Sequence, residues 1–216
     1  MEVIQLSEQN HEATAKRVAW LLKCGGVAAV PTDTVYGLLA DTLRFSSVEK
    51  VWRMKERSRT KAMPVLVRDF EMARQYAVID ESAERILENL WPGQTTVVLK
   101  KKRAMPDVVT AGAKTIGLRI PDHPFLRRVF ELFSNPVIGT SANISGDEPA
   151  QSAEEVLSTF RRHIPRPDLV IDAGVLPPSP PSTVLDLTNP TSPQILRFGA
   201  ITKEKLDQWL SQWRRQ

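Results

Sequence analysis

Apolar residues recur along the chain with two periods, one typical of helices and one typical of strands. Residues 10–24 carry apolar side chains at helical spacing, and Gly25 directly after them predicts a left-handed helix end. The short apolar runs VAAV at 27–30 and TTVVLK at 95–100 predict buried strands. Both kinds of element therefore contribute to the core.

The same two patterns alternate over most of the remaining length. Further helices are predicted from SSVEKVWRMKER, ESAERILENLW and HPFLRRVFELF, and further strands from MPVLVR, TIGLRIP, PVIG, DLVIDAG, STVLDL and QILRFG. Ser46 with Glu49, and Ser152 with Glu155, have the spacing of a capping box, and Asp69 can cap a short helix. The alternation predicts an α/β fold with a substantial parallel component, and the late strands predict a mixed sheet.

One proline-rich segment, VLPPSPPST at 175–183, interrupts the late strands. Its prolines predict a stiff, extended loop rather than a linker between domains, because strand-like sequence resumes at once. We therefore expect one domain over residues 1–200, followed by a helical tail of the same domain over 201–216 that Thr202 caps.

Composition narrows the class of protein. The formal net charge of +4 over 216 residues permits an anionic partner but does not require one. The single cysteine, Cys24, excludes a disulfide framework and a cysteine-rich zinc site, and the 3 histidines lack metal-ligand spacing. No apolar run reaches the roughly 18 residues of a membrane span, and the N-terminus lacks the pattern of a secretory signal. We expect a cytoplasmic protein without membrane association.

Polar side chains follow or end several of the predicted strands. Thr32, Asp33 and Thr34 come directly after VAAV, and Ser141 and Asn143 follow PVIG. The other strand ends carry Arg119, Ser182 and Arg197. Because α/β sheets bind ligands beyond their strand ends, these side chains predict one ligand cleft.

The segment KERSRTK places four cations two residues apart, at Lys55, Arg57, Arg59 and Lys61. An extended course would aim all four at one place, which suits a triphosphate. The alternative is a solvated helix end, where basic side chains offset the C-terminal dipole.

Ser141 and Asn143 have the same two-residue spacing and can bond phosphate oxygens or a ribose. The alternative is a turn that closes on its own backbone. The glycine-rich phosphate loop, the dinucleotide fingerprint and the nucleophile elbow are all missing from the sequence. An enzyme with this sequence therefore positions and neutralises its substrates rather than forming a covalent intermediate.

Six segments in this order, PTDTVYGL, KERSRTK, GLRIP, TSANISG, STVLD and LRFG, resemble the YrdC-like threonylcarbamoyl-AMP synthases over about residues 10–200. The resemblance implies an open, twisted α/β sheet with a positively charged concave face. It also implies a reaction in which L-threonine, bicarbonate or CO2, and ATP give L-threonylcarbamoyl-AMP and pyrophosphate. Partner proteins then transfer the threonylcarbamoyl group to an adenosine beside the tRNA anticodon.

The resemblance also assigns roles to individual residues. The catalytic residues would be Lys55, Arg57 and Lys61. The ATP-binding residues would be Arg57, Lys61, Thr115, Ser141, Asn143 and Arg197. The threonine-binding residues would be Thr34, Arg119 and Ser182. Mg²⁺ would accompany ATP, held mainly by its phosphates and not by side chains.

Two departures from the family pattern and one alternative function remain. Leu39 and Ala62 stand where family members commonly carry glycine and proline, and neither change removes a polar contact. The alternative function is a protein of the same fold that binds double-stranded RNA or tRNA, or acts in ribosome maturation, without synthase activity. The run KKKR at 100–103 could contribute to an RNA footprint or be a solvated strand end.

Overall fold

The computed structural model describes residues 1–204, and within them ten strands form a single sheet. The strands are β1 Glu2–Gln5, β2 Ala28–Val30, β3 Gly37–Asp41, β4 Val65–Leu66, β5 Thr95–Lys100, β6 Thr115–Arg119, β7 Val137–Ser141, β8 Leu169–Asp172, β9 Thr183–Asp186 and β10 Gln194–Arg197. The helices are α1 His11–Lys23, α2 Phe45–Met54, α3 Phe70–Tyr76, α4 Glu81–Leu87, α5 Asp107–Thr110, α6 Pro124–Leu132 and α7 Ala153–Phe160. The tail predicted over 201–216 lies almost wholly outside the described residues.

The sheet is mixed, as the sequence predicts. Its strand order is β1-β8-β2-β3-β7-β4-β6-β5-β9-β10. The pairs β1-β8, β2-β8, β4-β6 and β5-β9 are parallel, and the other pairs are antiparallel. The α/β class with an open mixed sheet is therefore confirmed.

Helices cover both faces of the sheet and create two apolar clusters. Helices α1 and α6 pack on one face against side chains such as Leu39 and Leu66. Helices α2, α3, α4 and α7 pack on the opposite face against side chains such as Leu38 and Val65. Neighbouring residues of one strand point to opposite faces, so the alternation of Leu38 and Leu39 divides the core in two.

Strand direction decides where the predicted site residues lie. Strand β6 pairs parallel with β4, and β4 pairs antiparallel with β7. Strands β6 and β7 therefore run in opposite directions, and their last residues, Arg119 and Ser141, lie at opposite edges of the sheet. A single cleft for all these side chains must therefore cross the face of the sheet between the two edges.

Several local predictions are confirmed and others are corrected. Helix α1 ends as expected, with Gly25 at φ +85°, and Asp69 accepts a hydrogen bond from the Met72 N–H at 2.8 Å. The sequence analysis missed β1 and β3. The run GLLAD of β3 has both faces buried, so it lacks the polar alternation that marks a half-exposed strand.

The two predicted capping boxes differ in the structure. Ser152 caps α7, with its Oγ accepting from the Glu155 N–H at 3.2 Å. Helix α2 instead begins at Phe45, so Ser46 lies inside its first turn and makes no cap. Glu49 pairs with Arg59 rather than turning back to the helix start.

Among the described residues, no helix is long and apolar enough to span a bilayer.

Ser152 and Ser46 give a matched test of the capping assignment. Ser152→Ala should lower the free energy of unfolding by about 1 kcal/mol, because it leaves a helix N–H unpaired. Ser46→Ala should change it by less than about 0.5 kcal/mol. Urea unfolding of both variants measures the difference, and equal losses would contradict the assignment of the α2 boundary.

Candidate functional site

A cleft of about 330 Å³ lies on the sheet face that α1 and α6 partly cover, and a second cavity of about 250 Å³ adjoins it. The two share Arg57, Ser141 and Asn143. Gly37 and Gly139 contribute backbone to the lining of the main cleft. A Cβ on Gly139 would lie 2.1 Å from Leu66 Cγ, so that side chain occupies the space over the glycine.

The loop between β2 and β3 folds back over this face. The Thr32 hydroxyl closes a turn, accepting from the Thr34 and Val35 N–H groups and donating to the Val35 carbonyl at 2.7 Å. A Cβ on Gly37 would lie 3.2 Å from Thr32 Cγ2, so the loop rests on that glycine. The polar residues after VAAV therefore hold a loop over the sheet and present Thr34 to the cleft.

Lys55 stands at the C-terminal end of α2 and is 2% exposed. Its Nζ donates to the carbonyls of Ser141 and Asn143 at 2.7 and 2.8 Å and to Asn143 Oδ1 at 3.0 Å. Burial, and secondarily the nearby charge of Arg57, lower the pKa of Lys55 to about 7. The three oxygens use all the donors of the ammonium, so Lys55 braces the loop after β7.

The extended course expected for KERSRTK is wrong. Glu56 has φ +46°, and the chain turns directly after α2. Arg59 leaves the cleft, forms a two-pronged pair with Glu49 and lies over the Trp52 ring at 5.4 Å. The turn separates the four cations, since their two-residue spacing aligns side chains only in extended backbone.

Arg57 and Lys61 remain at the cleft end that Lys55 braces. Arg57 donates through Nε to the Lys61 carbonyl at 3.0 Å and through Nη2 to the Ala62 carbonyl at 2.8 Å. Burial and the facing charge of Arg197 lower the pKa of Arg57. Two guanidinium groups that approach without a carboxylate between them favour an anion there. Lys61 is exposed and lines the adjoining cavity.

Ser141 and Asn143 form a network with Lys55. Ser141 Oγ donates to Asn143 Oδ1, which also accepts from Lys55. Asn143 Nδ2 donates to the Asp147 carbonyl at 2.6 Å, which leaves one amide hydrogen for a ligand. Both readings of TSANISG therefore apply to it: the loop closes on itself, and it also lines the cleft.

The predicted amino-acid residues meet at the other end of the cleft. Arg119 donates from Nη1 to Thr34 Oγ1 at 3.3 Å and from Nε to the Gly93 carbonyl at 2.8 Å, and it pairs with Asp33. Ser182 Oγ lies 2.8 Å from Thr96 Oγ1. Arg197 Nη2 donates to the Ser182 carbonyl at 2.6 Å.

Comparison with known proteins shows the family of the chain. The Sua5/YciO/YrdC family model, described as "Telomere recombination", matches residues 20–199. The chain belongs to the Sua5/YciO/YrdC family. A family member from Methanocaldococcus jannaschii, provisionally named as a threonylcarbamoyl-AMP synthase, is 35% identical over 208 residues, which are 95% of this chain and 96% of that protein.

Another family member has a named activity and a solved structure. The threonylcarbamoyl-AMP synthase of Pyrococcus abyssi is 32% identical over 213 residues, 98% of this chain but 62% of that protein. The structure of P. abyssi Sua5 complexed with L-threonine superposes with a TM-score of 0.89 over 97% of this chain and 61% of that one. The family also includes Escherichia coli YciO, named as uncharacterized, which is 30% identical over 83% of this chain and 85% of its own length.

Of the site residues predicted from the sequence of the present chain, Thr115 is the one that the structure does not bring to the cleft. It begins β6, four residues before Arg119 along the strand, and lines neither cavity. Asp33, predicted among the cleft side chains, does not line the cleft and instead pairs with Arg119. Thr96, which contacts Ser182, was not predicted. A buried arginine needs a counter-charge, and that requirement pointed to an acid beside Thr34.

Carboxylates are scarce in the cleft. Of the described residues that line the two cavities, Asp147 alone supplies a carboxylate. Within residues 1–204, no cluster of three His, Cys, Asp or Glu side chains could hold a metal ion. Mg²⁺ typically takes one or two carboxylates together with substrate phosphates and water, so the donors present fit an ion that arrives with a nucleotide.

Lys50 gives a matched control for the bracing role of Lys55, because both lie at the same helix and Lys50 makes a partly exposed pair with Asp168. Lys55→Met should lower the free energy of unfolding by about 2 to 3 kcal/mol, since it leaves buried oxygens without a donor. Lys50→Met should cost less than about 1 kcal/mol.

Hydrogen exchange should show faster amide exchange over residues 141–147 in the Lys55 variant alone. Unchanged protection there would contradict the bracing role.

Proposed function

We propose that this protein is a threonylcarbamoyl-AMP synthase, which forms L-threonylcarbamoyl-AMP and pyrophosphate from L-threonine, bicarbonate or CO2, and ATP. The observation that carries the proposal is the charge arrangement of one cleft. Within residues 1–204, Arg57 and Lys61 have no carboxylate partner at one end. Arg197, also without one there, faces Arg57 and reaches back to the Ser182 carbonyl. A neutralised arginine with hydroxyl neighbours stands at the other end.

The cation end suits the triphosphate of ATP. Arg57 and Arg197 each keep an Nη1 group that makes no hydrogen bond within the described chain. The Nη1 groups and the exposed Lys61 can neutralise phosphate oxygens, and Asn143 adds one amide hydrogen. Lys55 fixes the loop that presents Ser141 and Asn143, so its contribution to the phosphates comes through that loop.

The other end suits an amino acid. The Thr32 hydroxyl hydrogen goes to the Val35 carbonyl, and its two lone pairs face the Thr34 and Val35 N–H groups, so Thr32 gives no hydrogen to Thr34 Oγ1 across their 3.1 Å contact. Thr34 Oγ1 then accepts from Arg119 and retains a lone pair for the amine of a ligand. Arg119 supplies donors for the carboxylate, and Ser182 lines the same wall.

The reaction needs positioning and charge neutralisation but no protein nucleophile. The threonine amine adds to the carbon of CO2 and loses a proton, which gives a carbamate. A carbamate oxygen attacks the α-phosphorus of ATP, the bond from that phosphorus to the bridging oxygen breaks, and pyrophosphate leaves. Arg57, Lys61 and Arg197 neutralise the charge that accumulates on the leaving group.

Mg²⁺ would be held mainly by the phosphates, with Asp147 as the nearest available carboxylate in the cleft. When bound, the ion adds neutralisation of the leaving pyrophosphate. The adenylate product would pass to partner proteins that modify tRNA in the cytoplasm. The alternative is RNA binding through KKKR. It has one fewer unpaired cation than the sequence suggests, since Lys101 pairs with Asp107, while Lys102 keeps its charge and donates to the Arg74 carbonyl.

Purified protein should release pyrophosphate from ATP only when threonine and bicarbonate are both present, and mass spectrometry should detect the adenylate. Arg57→Ala should lower turnover by about a hundredfold or more, because it removes a guanidinium that faces the phosphates. Arg59→Ala is the matched control and should keep turnover within about twofold. Pyrophosphate release that does not depend on threonine, or equal losses of turnover in the two variants, would contradict the proposal.

Arg119→Lys tests the amino-acid end. Lysine cannot donate two parallel bonds to a carboxylate, so the KM for threonine should rise about tenfold while the KM for ATP stays nearly constant. Valine should replace threonine poorly, since a site that bonds a hydroxyl discriminates against an analogue without one. Steady-state kinetics with each substrate varied in turn measures both effects, and an equal rise in the two KM values would reassign Arg119.

A further inference from the structure

Asp33 stands behind Arg119 and does not line the cleft. The two side chains form an ion pair in which Arg119 is 7% and Asp33 is 10% exposed. The other carboxylate oxygen of Asp33 accepts from the Asp122 N–H at 3.3 Å. The Asp33 carbonyl accepts from Gln94 Nε2. Asp33 is therefore held from several sides before any ligand arrives.

The donors of Arg119 can be counted one by one. A guanidinium has five N–H groups. One goes from Nε to the Gly93 carbonyl, one from Nη1 to Thr34 Oγ1 and one from Nη2 to Asp33 Oδ1. The two that remain lie one on Nη1 and one on Nη2, the two nitrogens that meet a carboxylate end-on. The side-on approach is closed, because it needs the Nε hydrogen.

We propose that Asp33 is a positioning residue that orients Arg119 to receive the amino-acid carboxylate end-on. Asp33 also neutralises the charge of Arg119, so that Arg119 does not attract phosphates. The inference rests on the proposed function and adds a second consequence to it. Among the described residues, Arg57, Lys61 and Arg197 have no carboxylate partner, whereas Arg119 has one. A triphosphate is therefore drawn to the first group of cations and leaves the arginine beside Thr34 free for the smaller anion.

Two substitutions separate the two effects of Asp33. Asp33→Ala removes both the position and the neutralising charge, so the KM for threonine should rise about tenfold with the KM for ATP within about twofold. Asp33→Asn keeps an oxygen acceptor for Arg119, loses the charge, and gives up the weaker 3.3 Å bond from the Asp122 N–H. In that variant, pyrophosphate should become a competitive inhibitor against threonine, which a merely structural role of Asp33 would not produce.

Asp122→Asn is the control, because Asp122 is exposed, pairs with Arg127 and donates to Asp33 only through its backbone. It should leave both KM values and the inhibition pattern unchanged. An unaltered threonine KM in Asp33→Ala, or equal shifts in both KM values, would overturn the inference. If Asp33→Ala does not fold, the inhibition pattern of Asp33→Asn decides, and wild-type inhibition there overturns the inference.

Threonine titration by calorimetry keeps this test separate from the proposed function. If the wild type makes the adenylate and Asp33→Ala has unchanged threonine affinity, the inference is refuted and the proposed function is not. A wild type that binds threonine but makes no adenylate refutes the function, and loss of threonine affinity in Asp33→Ala then supports the inference. A wild type that binds no threonine overturns both.

Discussion

A single buried ammonium group fixes the geometry of the cleft. Lys55 gives its three donors to oxygens of the loop after β7, and thereby ties the end of α2 to Ser141 and Asn143. A buried cation is costly without partners, so the loop carbonyls must converge on this point. The turn that follows Lys55 sends Arg57 into the cleft and Arg59 away from it. The contact of Lys55 with the loop after β7 thus decides which cations of KERSRTK face the cleft.

The direction of the strands adds a second constraint. Arg119 and Ser141 end antiparallel strands, so they approach the ligand from opposite edges of the sheet, and the cleft runs across the face between them. The two ends differ in charge balance, since Asp33 neutralises Arg119 while Arg57 faces another guanidinium. A cleft with these two ends suits two dissimilar anions in a defined order, which the proposed reaction between a carbamate and a triphosphate requires.

Much of this was predictable from the sequence, and the exceptions have physical causes. Periodicity gave most helices and strands, but β3 escaped because it is buried on both faces and its neighbour in sequence is a polar loop. The predicted site residues other than Thr115 line the two cavities, whereas lining residues such as Leu66, Thr140 and Asp147 were not predicted. The internal partners of the site residues were not predicted either, because the bonds of Lys55 to a loop 86 to 88 residues away, or of Arg119 to Asp33, depend on tertiary contacts that no local pattern encodes.

A crystal structure of the protein with threonine and a non-hydrolysable ATP analogue tests the central claim most directly. The account predicts the triphosphate between Arg57 and Arg197, with the threonine carboxylate end-on to Arg119 and its amine beside Thr34. A nucleotide phosphate seated on Arg119, or threonine bound outside the cleft, would contradict it.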